Sequence, residues 1–197
     1  HFIQPDINSA ILNRVVGPDI STILGTLNSN GEVLLVNTNG ILIGETGTIN
    51  TAGFMASTLD ISNESFLNDD TLRFSGNSNA GITNLGKISA SKSDIYLISV
   101  QISNSGELHA PEGTAGLLAG QDVILAKGNT NRPMVKFMSA EVDEGNLTAI
   151  ENAGIIEAAR IEMEAAAGNI YALAVNNSGV VEATASSTVD GVVQLYR

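Results

Sequence analysis

Cysteine and tryptophan are absent from this chain of 197 residues, and only two histidines occur. Without cysteine the chain can form no disulfide and offers no thiolate to a metal. His1 and His109 each lack a serine or cysteine partner in a recognisable setting, so a nucleophilic triad is not expected. We therefore predict no catalytic residue, no metal site and no cofactor.

Basic residues and long apolar runs are also scarce. Nine lysines and arginines stand against 21 aspartates and glutamates, giving a net charge of −12. Such a chain repels phosphate backbones and anionic membrane surfaces, so nucleic acid is not an expected partner. No run reaches the roughly 18 apolar residues of a membrane helix, and no membrane insertion is expected. The sequence opens at His1 without an initiator Met or a signal peptide, which predicts a processed or trimmed fragment.

Aromatic residues make up only 4% of the chain, although 43% of it is hydrophobic. A core with so few rings must be filled by stacked Ile, Val, Leu and Ala, which favours a repetitive architecture over a globular one. The 20 glycines and the many Asn and Ser residues are typical of many short strands separated by turns. At this length the chain is predicted to be a single domain over residues 1–197.

A repeat of the form Asn-x-Gly-x-aliphatic, usually followed by one residue and then Ala, appears beyond residue 45. Its copies start at Asn84, Asn104, Asn152 and Asn177. Their glycines are separated by 20, 48 and 25 residues, and if 48 is two turns the period is about 20 to 25. Gly47, 39 residues before Gly86, is interpreted as a degenerate copy about two turns earlier.

Each copy is followed by a second alternating segment, at residues 94–98, 122–125 and 169–173. One unit is then several short strands joined by corners and is too small to bury its apolar face alone. Stacking of units must therefore bury a continuous core. With inward side chains alternating with outward ones, the pattern predicts a parallel β-solenoid. The spacing by itself does not determine the hand of the solenoid.

Residues 31–63 are the most informative stretch of the chain. Two short apolar runs, at residues 33–36 and 41–43, are separated by Asn37-Thr38-Asn39-Gly40. Runs this short, punctuated by Asn and Gly, indicate buried strands joined by tight corners. Gly40 can adopt positive φ and asparagine side chains bond their own backbone at turns, so this segment is predicted to be a structural corner.

The same stretch resembles a known family. Asn37-Thr38-Asn39-Gly40-Ile41 resembles the Asn-Pro-Asn-Gly-Ile motif of two-partner secretion exoproteins, the filamentous-haemagglutinin and high-molecular-weight adhesin group. Asn13-Arg14-Val15 resembles the Asn-Arg-Val element, and residues 23–27, 30–31 and 56–63 follow in the family's order and spacing. The close match covers residues 2–65, and a looser one continues to the end. Thr38 stands where the family usually has proline. The absence of proline frees φ and restores a backbone N–H at that turn.

The resemblance implies an all-β, right-handed parallel β-helix with an amino-terminal cap, serving as the amino-terminal secretion domain of a large adhesin. It also implies a partner, an outer-membrane β-barrel transporter whose periplasmic domains recognise the unfolded or partly folded module. After export through the periplasm and outer membrane the protein would be secreted or displayed at the cell surface. There the first rungs would fold and template the later ones.

By the same resemblance, the recognition role falls to six residues: Asn13, Arg14, Asn37, Asn39, Gly40 and Ile41. The alternative is that these residues merely build corners of the fold. For Arg14 the structural alternative is specific, because its five fixed donors would satisfy exposed carbonyl groups in the cap.

The predicted layout is a cap with the first strands, then β-helix rungs, an excursion and further rungs, over residues 1–30, 31–127, 128–150 and 151–197 respectively. Residues 17–30 fit either a short helical turn or a strand. The excursion is expected to be a hairpin lying against the side of the solenoid, with a strand at residues 134–138.

Residues 157–168 are rich in Ala and Glu, which by propensity favour a helix. The alternation around Ile161 and Met163 instead favours a strand with these two side chains pointing inward. A strand is the preferred prediction, because the repeat continues on both sides of the segment.

One alternative is a carbohydrate-active enzyme, because parallel β-helices include polysaccharide hydrolases and lyases. Glycoside hydrolysis uses a pair of carboxylates, so the carboxylate pairs of this chain need to be considered. The candidates are Asp69 with Asp70, Glu141 with Asp143 and Glu144, and Glu157 with Glu162 and Glu164. All fit turns or outward positions, so the chain is not expected to be an enzyme, and a carbohydrate-active enzyme is kept only as an alternative. A second alternative is that this module is itself adhesive and binds a host-surface glycan or protein.

Overall fold

A computed structural model of the protein describes residues 1–67, 71–126, 134–136, 149–165, 175–184, 186–189 and 192–195. The first elements are β1 Ala10–Arg14, β2 Ser21–Ile23, β3 Thr26–Asn28, β4 Glu32–Val36, β5 Ile41–Ile43, β6 Thr48–Thr51, β7 Gly53–Ser57, β8 Asp60–Ile61 and a short helix α1 Asn63–Leu67. Then follow β9 Thr71–Ser75, β10 Ile82–Asn84, β11 Lys87–Ala90, β12 Ile95–Ser99, β13 Ile102–Asn104, β14 Glu107–Ala119 and β15 Asp122–Ala126. The last are β16 Met134–Lys136, β17 Ile150–Asn152, β18 Ile155–Ala165, β19 Val175–Asn177, β20 Val180–Ala183, β21 Ser186–Val189 and β22 Val192–Leu195.

Three walls of parallel strands enclose the core, and the chain passes from one wall to the next at each corner. The first wall contains β1, β4, β7, β12 and the second halves of β14 and β18. The second contains β2, β5, β10, β13, β17 and β19. The third contains β3, β6, β11, the first halves of β14 and β18, and β20. This arrangement is a parallel β-helix, so the predicted fold class is confirmed.

The core is a set of aligned columns of aliphatic side chains, because the strands of each wall pair in register. In the second wall Ile41, Ile82, Ile102 and Ile150 lie side by side on successive rungs, all at most 1% exposed. Phe54 is the one ring among the fully buried members of this core that the structure describes. Stacked aliphatic side chains therefore fill the space that aromatic rings fill in many globular cores.

Asparagine and glycine mark the corner between the second and third walls. Asn84, Asn104, Asn152 and Asn177 form a ladder in which each side-chain Nδ2 donates to the next Oδ1, at 2.7, 2.7 and 2.6 Å. The first three of these side chains are completely buried. Beside them a Cβ on Gly106 would overlap the carbonyl oxygen of Gly86, so no larger residue fits this corner.

The predicted turn count was wrong at two places. Asn104 hydrogen-bonds directly to Asn152, 48 residues on, so that interval is a single turn rather than two. Likewise Lys87 pairs with Thr48, which makes Gly47 the immediate neighbour of Gly86 and not a copy two turns away. Ordinary turns take 20 to 25 residues, as between Asn84 and Asn104 and between Asn152 and Asn177. The two long turns contain insertions that leave the wall and return.

The two insertions meet outside the first wall and form a four-stranded antiparallel sheet in the order β16-β15-β9-β8, here called the covering sheet. Segment 122–125, predicted as a rung strand, therefore belongs to the covering sheet. The predicted run of rungs over 31–127 is also interrupted by the first insertion, which contains β8, α1 and β9. The guanidinium of Arg73 joins β9 to β15 by donating to both carboxylate oxygens of Asp122, at 2.9 and 2.8 Å.

A second core lies between the covering sheet and the outer face of the first wall. Leu34, Val36, Ile98 and Leu118 point outward from the wall and pack with residues of the insertions such as Phe74 and Val123. The first wall is therefore apolar on both faces. This explains why residues 33–36 form a continuous apolar run instead of an alternating one.

Two segments for which the sequence also allowed a helix are strands. Residues 17–30 contain β2 and β3. Residues 155–165 form β18, so the strand prediction is confirmed over the helical alternative, and Ile161 and Met163 pack against the core as expected. Of the excursion predicted at 128–150, residues 134–136 form the strand β16, which pairs antiparallel with β15, and Ala149 leads into β17, which begins at Ile150. The remainder lies outside the described residues.

The last two strands differ from the expectation of further rungs up to residue 197. β21 and β22 pair antiparallel with each other in a separate two-stranded sheet. The sequence signal for this hairpin is Asp190-Gly191 between Val189 and Val192, since Asp-Gly is a strong two-residue hairpin signal. In the part of the chain that the structure describes, no helix has the length and apolar character needed to span a membrane.

Candidate functional site

The residues singled out by the family resemblance all lie in the first two rungs. The first rung consists of β1, β2 and β3, and the second of β4, β5 and β6. β1 carries Asn13 and Arg14 and pairs with β4, which leads into the corner at residues 37–40. The two sequence motifs, 24 residues apart between Asn13 and Asn37, are therefore neighbours in space.

The corner at residues 37–40 is a hydrogen-bonded turn. The Gly40 N–H donates to the Asn37 carbonyl at 3.1 Å, and the Asn37 Oδ1 accepts from the Asn39 N–H at 2.9 Å. Gly40 adopts a φ of 118°, a backbone conformation that residues with a Cβ rarely adopt. The turn is closed by Asn37, Asn39 and Gly40, so it does not depend on a proline at position 38.

Asn37 links the second rung to its neighbours on both sides. Its Nδ2 donates to the Asp19 carbonyl at 2.9 Å and to the Ser21 Oγ at 2.8 Å. Asp19 lies just before β2 and Ser21 is its first residue, so both partners are at the first rung. The backbone N–H of Asn37 donates to the Ser57 carbonyl on the following rung at 2.9 Å. The residue is completely buried, so this amide is part of the interior of the folded domain.

Asn39 has a different environment from Asn37 although the residue type is the same. Asn39 is exposed, and its Nδ2 donates to the Gly17 carbonyl at 2.8 Å. Thr38 is also exposed, and its carbonyl accepts a hydrogen bond from the Ser78 Oγ at 2.6 Å. These two residues are the accessible part of the corner.

Gly40 and Ile41 are buried members of the framework. The Gly40 carbonyl accepts from the Ser21 N–H at 3.0 Å, and the Ile41 N–H donates to the Gly81 carbonyl at 3.2 Å. The Ile41 side chain is 1% exposed and belongs to the main core. In the folded domain neither residue presents a side chain to a partner.

Arg14 fastens the first insertion to the first rung. Its Nε donates to the Asp60 carboxylate at 2.8 Å, its Nη1 to the Asn63 Oδ1 at 3.1 Å, and its Nη2 to the Ile61 carbonyl. A carbonyl partner was predicted for Arg14, but it lies in the first insertion instead of the cap. Asn13 makes a longer contact, 3.5 Å from its Nδ2 to the Leu34 carbonyl.

The segment that leads into β2 was not predicted as part of this site. Gly17, Asp19 and Ser21 receive the side-chain hydrogen bonds of Asn37 and Asn39, although they lie 16 to 22 residues earlier in the chain. Sequence offers no signal for the bonds to Gly17 and Asp19, because backbone carbonyls accept hydrogen bonds whatever the residue type. Only the stacking of rungs brings them together.

The carboxylate sets weighed for catalysis do not converge among the described residues. Glu157 lies in the third wall, 3.4 Å from the His109 Nδ1, whereas Glu162 and Glu164 lie in the first wall. The other two candidate sets lie outside the described residues. Within the described ranges no three histidine, aspartate or glutamate side chains are grouped as metal ligands.

A family model described as the TPS secretion domain matches residues 1–194. This chain belongs to the TPS secretion domain family. The resemblance seen in residues 2–65 is thereby confirmed and extends over nearly the whole chain. The family comprises secretion domains of two-partner secretion exoproteins and not enzymes. Such exoproteins are exported and secreted or surface-displayed in Gram-negative bacteria, and the domain implies a partner outer-membrane transporter.

Relatives and solved structures agree with this family. The chain is 34% identical over 185 residues to a heme/hemopexin-binding protein of Haemophilus influenzae strain Rd, covering 85% of this chain and 19% of that protein. A second heme/hemopexin-binding protein of Haemophilus influenzae is 43% identical over 60 residues, covering 30% of this chain and 6% of that protein. The crystal structure of the HMW1 secretion domain from Haemophilus influenzae matches with a TM-score of 0.65 and 35% identity, covering 83% of this chain and 45% of that one. The TPS domain thus spans about a fifth of the first relative's length.

Proposed function

We propose that this TPS domain, taken as one unit over residues 1–197, is recognised by the periplasmic domains of a partner outer-membrane β-barrel transporter. Once outside the cell, its first rungs fold and serve as the template on which later rungs stack. The observation that carries the proposal is the hydrogen-bonded union of the first two rungs through Asn37 and Asn39. The motifs at residues 13–15 and 37–41 therefore belong to one structural unit, the first two rungs at the amino-terminal end of the β-helix.

Stacking supports the nucleation part of the proposal. Each wall continues in parallel register from the first rung onward, so an ordered rung presents a row of backbone donors and acceptors to the next. Folding of successive rungs outside the membrane buries apolar surface and releases free energy, which biases passage outward without ATP.

Burial divides five of the six proposed recognition residues into two groups, and Asn13 is half-buried. Asn37, Gly40 and Ile41 are buried, so a partner can touch these residues only before the rungs form. Asn39 is exposed and Arg14 keeps 30% of its side-chain surface exposed, so these two remain accessible after folding. Asn39 is therefore the sharper residue for testing a recognition role separately from a folding role.

The test is export of the chain from a Gram-negative host with and without its cognate transporter, comparing wild type with Asn37→Ala and Asn39→Ala. We expect export only with the transporter, loss of export for Asn37→Ala through impaired folding, and reduced export for Asn39→Ala with an unchanged circular dichroism spectrum and melting temperature. Export that does not depend on the transporter contradicts the proposal. It would favour the alternative in which the module is itself adhesive, to be tested by binding of the purified chain to host-surface glycans or proteins.

A further inference from the structure

Two Asn-Gly dipeptides occur in the chain, Asn30-Gly31 and Asn39-Gly40, and both lie at corners of the first two rungs. An asparagine that precedes glycine readily cyclises to a succinimide, because glycine has no Cβ to hinder attack by its own amide nitrogen. The asparagines of the ladder instead precede Leu85, Ser105, Ala153 and Ser178. The first two rungs therefore contain the asparagines that are most prone to deamidation in an unfolded chain.

Deamidation of such a dipeptide needs no reagent other than water. The glycine nitrogen attacks the asparagine Cγ, its proton passes to Nδ2, and ammonia leaves as the five-membered succinimide ring closes. Water then adds to one of the two ring carbonyls and breaks the bond from that carbon to the ring nitrogen, which takes up a proton. Cleavage on one side gives aspartate. Cleavage on the other side gives isoaspartate, in which the main chain passes through Cβ and is longer by one carbon atom.

In the folded domain both nitrogens that react at Asn39-Gly40 are held by hydrogen bonds. The Gly40 N–H, which carries the attacking nitrogen, donates to the Asn37 carbonyl at 3.1 Å. The Asn39 Nδ2, which is the departing nitrogen, donates to the Gly17 carbonyl at 2.8 Å and to the Asn37 Oδ1 at 3.2 Å. Ring closure requires these three hydrogen bonds to break, so it has to wait for local opening of the corner.

Neither product of the reaction fits the corner as Asn39 does. A carboxylate has no proton to donate at neutral pH, so it would face two acceptors, the Gly17 carbonyl and the Asn37 Oδ1. Isoaspartate is the more damaging product, because the extra main-chain carbon displaces Gly40 from the Asn37 carbonyl. It also shifts Ile41, which begins β5 and is 1% exposed in the main core.

Asn30-Gly31 is the second labile dipeptide, and it is held in a different way. The Asn30 Oδ1 accepts from the Gln4 N–H at 2.7 Å, and its Nδ2 donates to the Gln4 carbonyl at 2.9 Å. An aspartate at position 30 still accepts the first of these bonds, whereas an aspartate at position 39 keeps neither bond that the Asn39 Nδ2 donates. A control variant that retains Asn30-Gly31 separates the effects of the two sites.

We propose that Asn39-Gly40 is a deamidation site whose reactivity is suppressed by formation of the first two rungs. In the unfolded chain the dipeptide converts spontaneously, and a chain that carries isoaspartate at position 39 no longer closes the corner. Stacking of the rungs stops the reaction, because both reacting nitrogens are then hydrogen-bonded. The inference concerns the chemistry of the chain itself and goes beyond the proposed function, on which it does not depend.

The first test compares conversion at position 39 in the folded and the denatured chain. The purified protein is held at mildly alkaline pH in buffer or in guanidinium chloride, and peptide mapping by mass spectrometry measures aspartate and isoaspartate at each asparagine. In denaturant, Asn39 should convert faster than Asn84, whose neighbour Leu85 hinders the attack. In buffer, Asn39 should convert at least about tenfold more slowly than in denaturant, because the corner must first open. Equal rates at position 39 in the two conditions would overturn the proposal.

The second test asks whether conversion prevents folding, with Asn39→Gln as the matched control. Glutamine keeps a side-chain amide but would have to close a six-membered ring, which forms far more slowly, and this variant retains Asn30-Gly31. Both proteins are aged in denaturant and diluted into buffer, and circular dichroism measures the fraction that regains its melting transition. Wild type should lose this fraction as isoaspartate accumulates at position 39, and Asn39→Gln should keep it. Equal losses in the two proteins would contradict the assignment to Asn39.

A measurement on wild type alone covers the case in which Asn39→Gln does not fold. Aged wild type is refolded, and size-exclusion chromatography separates the folded monomer from chains that failed to fold. Isoaspartate at position 39 should be depleted in the folded monomer and enriched in the remainder. The same isoaspartate content at position 39 in both fractions would show that the modified corner still closes, and it would refute the proposal.

Discussion

At the scale of single residues, the corner between β4 and β5 shows how one motif contains two physical roles. Asn37 is fully buried with its amide bonded to other rungs, whereas Asn39, two residues on, is exposed at the surface. The residue type is the same in both positions. Their contributions to stability and to recognition should therefore separate on mutation.

Asn37→Ala is expected to lower the free energy of unfolding by about 2–4 kcal/mol, because it removes a completely buried amide that donates to both the Asp19 carbonyl and the Ser21 Oγ and accepts from the Asn39 N–H. Asn39→Ala should cost less than about 1 kcal/mol, since water can replace an exposed amide. Urea denaturation monitored by circular dichroism measures both. Equal losses in the two variants would contradict the assignment of Asn37 to the interior.

Tyr96 gives the domain a predictable sensitivity to high pH. Burial first, and then the negative charges of Asp94 and Glu162, raise the pKa of this phenol well above its ordinary value. As the pH passes about 10, the unfolded chain releases the phenol proton while the folded chain retains it. The contribution to stability is present below that pH and should fall above it by up to about 1.4 kcal/mol per pH unit.

The check is the midpoint of urea denaturation between pH 9 and pH 11 for wild type and Tyr96→Phe. Lysine and tyrosine side chains in general ionise at high pH, so the informative quantity is the difference in slope between the two proteins. The slope should be shallower in Tyr96→Phe. Identical slopes would show that the phenol proton is not linked to folding.

At the scale of elements, the asparagine ladder joins successive corners of the β-helix through side-chain hydrogen bonds. Asn104 is completely buried, donates to Asn152 and accepts from Asn84, each at 2.7 Å. Asn104→Ala leaves a donor and an acceptor of its neighbours unpaired in the interior. We expect a loss of about 2–5 kcal/mol in the free energy of unfolding.

A matched control exists on the outer face of the third wall. Asn50 is exposed and donates to the Asn28 Oδ1 at 3.0 Å, so Asn50→Ala removes an asparagine pair that water can replace. This variant should lose less than about 1 kcal/mol. Thermal and urea denaturation of both variants decide the matter, and a similar small loss in each would mean that the ladder contributes little to stability.

At the scale of the whole molecule, the covering sheet makes early rungs depend on late sequence. β9, in the first insertion, pairs along its full length with β15, and Arg73 bonds Asp122 from 49 residues away. The outer face of the first wall is therefore fully covered only when the chain up to residue 126 is present. The rungs follow one another in chain order, whereas their cover joins segments that are 49 residues apart.

Two truncated chains test this dependence. A chain ending at residue 120 retains β9 but lacks β15, whereas a chain ending at residue 165 contains both. We expect the amide hydrogens of β9 to exchange at least about 100-fold faster in the shorter chain, because one edge of that strand has lost its partner. The amides of β4, which pairs with β1 and β7 in both chains, serve as the internal control. Equal protection of β9 in the two chains would contradict the coupling.

The sequence by itself determined the kind of fold and the family. Short apolar runs, Asn-Gly corners and a scarcity of rings predict stacked strands, because each of these signals reflects the environment of one strand or one turn. The repeat at Asn84, Asn104, Asn152 and Asn177 likewise marks a corner column that the structure confirms as a side-chain ladder. Local patterns carry this information, since alternation and turn chemistry act over a few residues.

The tertiary structure alone decided which intervals are single turns, what covers the first wall and which asparagine of the corner is buried. The 48-residue spacing between Asn104 and Asn152 is one turn because the chain leaves the wall to form β15 and later returns. The run at residues 33–36 indicates burial on both faces but not the partner that provides it. Pairing between segments as distant as β9 and β15 depends on which apolar faces remain to be buried once the rungs have stacked, and no local pattern records that choice.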